Sequence, residues 1–223
     1  SNASRRLDTE REEVQYVSKR TMIQILLAAV KEVSLEPMMV LYYTSLALTT
    51  LSGQNLLLQK ACYPRSTVPP MTSHCPHELE AQKIITEIQT WRDLIVLFVS
   101  VLFVLFAGPW SDNHGKRRKP LIYLPLCGQI LSDLLSILNV YFWQWSPVTT
   151  AISQSVPTAL TGWRACFSIG VMSYMADITT EKTRTVRLGI CATLYFLSLP
   201  IGGFTFGLIF RRVGFYGVFT LCV

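Results

Sequence analysis

Two ionisable residues attract attention because of where they fall. Asp133 is the single charge in residues 121–143, and Arg164 is the single charge in residues 146–176; both stretches are otherwise uncharged and largely apolar. An ionisable side chain deep in hydrocarbon is costly and is by default a functional candidate. Asp133 lies thirteen residues beyond Pro120, and Arg164 thirteen residues before Asp177, both of which border basic loops. At a helical rise of about 1.5 Å per residue, each group sits roughly 20 Å from that surface. The two stretches run antiparallel across a short link, residues 144–147, so Asp133 and Arg164 are expected to face one another near the midplane. Two chemistries are then open. In one, the pair is structural, each charge making the other tolerable. In the other, Arg164 faces a cavity and binds an anionic substrate, while Asp133 exchanges a proton. Tyr43, Thr50 and Gln54 fall on one helical face with Ala47, and Thr161 and Ser168 flank Arg164. Such polar stripes line a water-filled cavity or hold helices together, and both readings stand.

These residues need helices in a membrane to place them. The chain has 223 residues, of which 50% are hydrophobic and 15% charged. Soluble domains carry about 25% charged residues. Residues 37–58, 94–110 and 188–210 contain no Asp, Glu, Lys or Arg. With the two stretches above, they make five segments near the roughly 20 residues that a helix needs to cross a bilayer. A sixth begins near Val213 and runs to Val223. The expectation is an all-α membrane protein with helices over residues 36–58, 93–110, 120–143, 147–176, 188–210 and 213–223, the last incomplete, in a fragment of a longer chain. Residues 1–35 read as a polar tail and an amphipathic lead-in on the membrane surface, with residues 1–3 resembling a cloning remnant. Pro157 and Pro200 are candidate kinks.

Cytoplasmic loops are rich in Lys and Arg. With the N-terminus inside, thirteen basic residues lie inside and six outside, Arg164 being within a span. The net charge of +6 is mostly this topology signal, and no soluble basic face exists to bind nucleic acid. Residues 59–92 become an extracellular or lumenal loop, with a candidate short helix at its end, Glu78–Thr90. Its cysteines, Cys62 and Cys75, are expected to be oxidised there, paired with each other or with a cysteine elsewhere. A zinc site at Cys62, His74, Cys75 and His77 is the rival reading, and its spacing fits no familiar pattern. Cys127, Cys166, Cys191 and Cys222 read as packing residues. The sequence has no phosphate loop, no His-Glu-x-x-His and no nucleophile elbow, and no enzyme activity, cofactor or metal is expected.

Between the second and third stretches the chain reads Gly108-Pro-Trp-Ser-Asp112-Asn-His-Gly115-Lys116-Arg117-Arg118-Lys119-Pro120. This resembles the signature loop of the major facilitator superfamily, a glycine, an aspartate four residues on, a second glycine three further, and then basic residues. Gly108 would allow two helices to approach closely, Asp112 would face a helix N-terminus or a basic side chain, Gly115 would make a tight turn, and the basic run would hold the loop at an anionic leaflet. The resemblance implies the N-terminal six-helix half of a transporter with two such halves around a central site, here truncated within helix six and lacking its C-terminal half. Glu36-Pro37 and Gly53-Gln54-Asn55 in the first span, Ala176-Asp177 and Arg184-Thr185-Val186-Arg187 after the fourth, and the looped cysteines together resemble the proton-coupled folate transporter family, solute carrier family 46, in an invertebrate form.

That resemblance implies a cytoplasmic gate of Gly108, Asp112, Gly115, Lys116, Arg117, Asp177 and Arg184, with Asp177 and Arg184 closing the cytoplasmic side. It also implies secondary active transport of a small organic anion that is folate-like, pterin-like or peptidoglycan-derived, with protons as a candidate coupling ion, in a plasma or endolysosomal membrane. One position departs from the family. Ala192 stands where the family carries a span-five carboxylate, which keeps open an alternative: a transporter-like sensor or scaffold that transports nothing.

Overall fold

The computed structural model describes residues 35–63, 75, 78–115 and 117–223. The chain divides into two compact units, Ser1–Met38 and Met39–Val223. Of the first, only residues 35–38 are described, so the expected tail and lead-in lie outside the described residues, as do Lys116, His74 and His77.

The described residues form six helices: α1 (Glu36–Cys62), α2 (Glu78–Asn113), α3 (Lys119–Tyr141), α4 (Pro147–Leu160), α5 (Trp163–Ile178) and α6 (Glu181–Cys222). Their starts follow local rules. Proline fits the first helical turn, where its missing N–H costs nothing, and α1, α3 and α4 each carry one there, at Pro37, Pro120 and Pro147. Ser146 caps α4, its hydroxyl accepting from the Thr149 amide at 3.2 Å. Gly115 turns the chain between α2 and α3 with φ 74°, a conformation glycine adopts freely.

The chain is an all-α membrane protein. Glu78–Asn113, Lys119–Tyr141 and Thr183–Cys222 are long and apolar enough to cross a bilayer. Their apolar side chains turn outward: Phe98, Phe106, Phe204 and Leu208 are all exposed. That is the inverse of a soluble helix, whose apolar stripe faces the core.

Three boundaries differ from the sequence reading, each for a physical reason. Residues 78–92, read as the end of a loop with a short helix over 78–90, are the first four turns of α2 and run on into the span. They carry acids in the first turn, at Glu78 and Glu80, which suit a helix N-terminus, and Gln82 donates to Glu78 at 3.0 Å. The stretch 147–176, read as one helix, is two. The break falls at Thr161-Gly162, where Gly162 has φ 79° and Trp163 φ 48°. Residues 188–210 and 213–223 join in one long element, α6, which bends at Gly214 with φ 63° and ψ −162°.

Helix α3 is the hub, with α4, α5 and α6 all packed on it. At its far end, Val140 and Trp143 meet Leu56 of α1 and Phe215 and Phe219 from beyond the bend in α6. Lys60 reaches the same place. Fully buried, it donates to the carbonyls of Phe142 (3.2 Å) and Trp145 (3.4 Å) and to the Thr150 hydroxyl (3.0 Å), so a cation meets the carbonyl end of α3. Cys62, beside it, is joined to Cys75 by a disulfide, which removes both thiols from the zinc reading.

Helix α3 also meets the α4–α5 break. A Cβ at Gly128 would overlap the Thr161 side chain. Thr161 cannot easily yield, because its hydroxyl donates to the carbonyls of Pro157 (3.0 Å) and Thr158 (3.2 Å), groups a terminating helix leaves without partners. Gly128→Leu should therefore destabilise by about 1–3 kcal/mol, the usual cost of overpacking. Gly189→Leu, at a site with no atom within 4 Å of an added Cβ, should leave the thermal unfolding midpoint of the detergent-purified protein unchanged.

Candidate functional site

A cavity of about 420 Å³ opens among the six helices. Its walls include Thr50 and Gln54 of α1, Arg92 and Asp93 of α2, Gln129 and Ser132 of α3, Gln154 of α4, and Trp163 and Arg164 of α5. Arg164 owes its position to the break. Gly162 and Trp163 are both at positive φ, α5 starts at Trp163, and the next side chain is Arg164. A bulky residue at positive φ costs on the order of 1–3 kcal/mol and is concentrated at functional sites. The Arg164 guanidinium carbon lies 4.2 Å from the Trp163 ring centroid, a cation–π contact that orients it. Arg164 is exposed and, among the described residues, makes no ion pair, so its charge is available to a ligand.

The α3 and α4 walls supply neutral hydrogen-bonding groups. Ser132 donates to the Gln154 carbonyl at 2.6 Å, fixing α3 to α4. The Gln154 Nε2 is buried with no hydrogen-bond partner, a donor left for a bound molecule or water. On the α2 wall Arg92 donates through Nε and Nη2 to Asp93 Oδ1 at 3.0 and 2.8 Å.

Asp133 and Arg164 do not face one another, contrary to the expectation from spacing. Gln129 lines the cavity and Asp133 does not. Asp133 is fully buried, takes a hydrogen bond from Gln129 Nε2 at 3.1 Å on Oδ1, and keeps Oδ2 buried without a partner. The helical ruler measures depth along α3 and α5, not the direction in which a side chain points, and the break at Gly162 sets which way the first turn of α5 faces. Tyr43 also lies off the cavity. It is buried, its hydroxyl is 2.8 Å from Ser168 Oγ, and its ring packs edge-on against Phe167 and Tyr195, joining α1, α5 and α6. Of the five polar candidates, the structure brings Thr50, Gln54 and Arg164 to the cavity.

A second cluster closes the Asp112 end of the bundle. Arg118 reaches Asp112 Oδ1 with Nη1 at 2.7 Å and Asp177 Oδ2 with Nε at 3.1 Å, tying the end of α2 to the end of α5. Hydrogen bonding to Asp177, then to Asp112, holds the Arg118 guanidinium above its ordinary pKa despite some desolvation. Ser111 donates to the Arg117 carbonyl at 3.0 Å, which folds the loop back on α2. Arg184 does not engage Asp177; it donates to the Ala176 carbonyl at 3.2 Å, a cation at a helix C-terminus. The Arg117 side chain is exposed, and among the described residues it forms no ion pair. No described atom lies within 4 Å of a Cβ built at Gly108, so the close approach expected there is made at Gly128 instead.

Arg118, Arg92, Asp93, Gln129 and Gln154 were missed by the sequence reading. Arg118 sits in a run of four basic residues, and nothing in the run singles it out. Arg92 and Asp93 were hidden because they fall at the expected boundary between the loop over 59–92 and the helix over 93–110, with the uncharged run beginning just after them.

No family model matches the chain. Among known proteins it is 24% identical over 148 residues to a Drosophila melanogaster protein described as a probable peptidoglycan muropeptide transporter SLC46. The chain is similar to a solute carrier of family 46. The match takes in 65% of this chain and 28% of that relative, so the chain spans under a third of the carrier it resembles.

Arg118→Ala should leave Asp112 and Asp177 without their shared cation and lower the thermal midpoint by a few degrees. Arg117→Ala should not. Because the pairs are partly solvent-screened, raising the salt concentration should shrink the difference between the two variants.

Proposed function

We propose that this chain is part of a secondary active transporter that carries a small organic anion across a membrane by alternating access, with Arg164 as the anion's partner. A single observation carries the reading: an exposed arginine that forms no ion pair among the described residues, in a cavity whose polar lining is otherwise hydroxyls, amides and the mutually paired Arg92 and Asp93. Few precisely placed polar groups in a concavity are what a ligand site needs, and a guanidinium matches a carboxylate or phosphate in two parallel hydrogen bonds. The similarity to a carrier described as a muropeptide transporter favours a peptidoglycan-derived substrate over a folate-like or pterin-like one, and hydroxyls and amides beside Arg164 suit a polar sugar-peptide with a carboxylate.

The Arg118 cluster is the cytoplasmic gate in this reading. The Cys62–Cys75 bridge, at the opposite end of the bundle, belongs to the oxidising side, with the N-terminus in the cytoplasm and the membrane plasma or endolysosomal. Asp133 is the proton site: a buried carboxylate with one amide donor and no cation is costly and in a membrane is a functional candidate. The alternative, a non-transporting sensor or scaffold, rests on Ala192, which is half-buried on α6 where the resemblance calls for a carboxylate.

Uptake of labelled anions, a muropeptide among them, by cells expressing the full-length protein tests this at acidic and neutral pH. Arg164→Gln should raise KM for the transported anion by about 10- to 100-fold, the loss of one charge-assisted hydrogen-bonding group, with Arg164→Lys intermediate. Asp133→Asn should flatten the pH dependence. Surface-expressed protein that takes up no anion would leave the scaffold reading standing.

A further inference from the structure

A second concavity lies on the outer surface of the bundle, away from the Arg164 cavity. It is an apolar groove of about 660 Å³ between α2 and α3, floored by α5. Phe103, Phe106 and Trp110 form one wall, and Pro120, Leu124 and Cys127 the other. Phe106, Trp110 and Leu124 are exposed, so the groove is open along its length. By helical rise it runs roughly 10 Å from the level of Phe103 and Cys127 to that of Trp110 and Pro120.

The Trp110–Pro120 end is where the basic loop sits. Ser111, next to Trp110, holds the loop through the Arg117 carbonyl, and Lys119 precedes Pro120 directly. Charges at this mouth are unequal. Arg118 is consumed by Asp112 and Asp177, and those two carboxylates are consumed with it. Arg117 and Lys119 are exposed and form no ion pair among the described residues. His114 is stacked on Trp110 with ring centroids 5.0 Å apart. An apolar slot thus ends at two cations, with the neighbouring acids both turned to Arg118.

We propose that this groove binds one anionic phospholipid, an acyl chain lying along Phe103–Trp110 and the phosphate on Arg117 and Lys119. Apolar lining alone would accept any lipid tail or a protein helix. The free cations at one end select a molecule that is apolar along its body and negative at its head, which an anionic phospholipid is and a transmembrane helix is not. Each basic residue near an anionic lipid surface contributes about 1 kcal/mol. Because the headgroup sits on the loop that carries Arg118, occupancy would hold that loop against α2 and favour the closed state of the Asp112–Arg118–Asp177 cluster.

The test uses the full-length protein in phosphatidylcholine nanodiscs doped with brominated phosphatidylglycerol or, at the same mole fraction, brominated phosphatidylcholine. Bromine quenches tryptophan on contact, and the Trp110 signal is the difference between wild type and Trp110→Phe. Brominated phosphatidylglycerol should associate with Trp110 about 5- to 30-fold more tightly, the factor that one to two kcal/mol supplies. Arg117→Gln with Lys119→Gln should abolish that preference, and Ala107→Phe, which fills the groove, should reduce it. Equal quenching by the two lipids would overturn the headgroup assignment. Trp110 unquenched by either lipid would mean that another protein segment covers the groove, and would overturn the site.

Discussion

At Thr161 the fourth pass of the chain meets α3 at Gly128, and the arrangement of the cavity depends on how the chain leaves that contact. A helix continuing through Thr161 would keep its side chains in register with α4. Instead the Thr161 hydroxyl turns back to satisfy the carbonyls of Pro157 and Thr158, Gly162 and Trp163 are both at positive φ, and α5 begins on a new axis. The absence of a side chain at Gly128 makes the contact possible. The break then directs Arg164 into the cavity and leaves Asp133 behind Gln129. One glycine therefore separates a cation that can meet a ligand from a carboxylate that cannot, and a strained Trp163 is the local cost.

The two ends of the bundle are fastened by different chemistry. At one, Arg118 holds α2 to α5 through two carboxylates that remain partly exposed. Solvent-screened pairs of that kind are worth little each and can be exchanged at low cost, which suits a gate that must open. At the other end, Lys60 is buried against carbonyls and a hydroxyl beside the Leu56–Trp143–Phe219 cluster, and a disulfide anchors Cys62. Breaking that end would expose a buried cation's partners and an apolar cluster together, so it suits the part of a bundle that moves as one body.

Much of the architecture was legible because lipid forces it. Long uncharged runs such as residues 94–110 and 188–210 can be little else than bilayer helices, and the turn at Gly115 and the prolines at helix starts carry their own geometry. The site was less legible. Spacing put Asp133 and Arg164 at equal depth, but depth fixes neither which way a side chain faces nor whether the helix between is continuous. A run of four basic residues conceals which one is engaged: Arg118 makes the ion pairs, while Arg117 and Lys119 form none among the described residues. Arg92 and Asp93 were obscured because they sit at the edge of the polar start of α2, whose helical character rests on acids in its first turn and on packing of Ile85 and Ile88 against Leu57 and Ala151.

The central claim is that Arg164, oriented on Trp163, is the anion's partner in the cavity. Because the two side chains touch, a ligand that draws the guanidinium away from the indole should change the Trp163 fluorescence. The direct measurement is a titration of the full-length protein with a muropeptide carrying a free carboxylate and with the same compound amidated, reading the component lost in Trp163→Phe. A saturable change with the carboxylate form that is lost in Arg164→Gln, and at least about tenfold weaker with the amide, is the expected result. Equal responses to both compounds, or a response unchanged in Arg164→Gln, would contradict it.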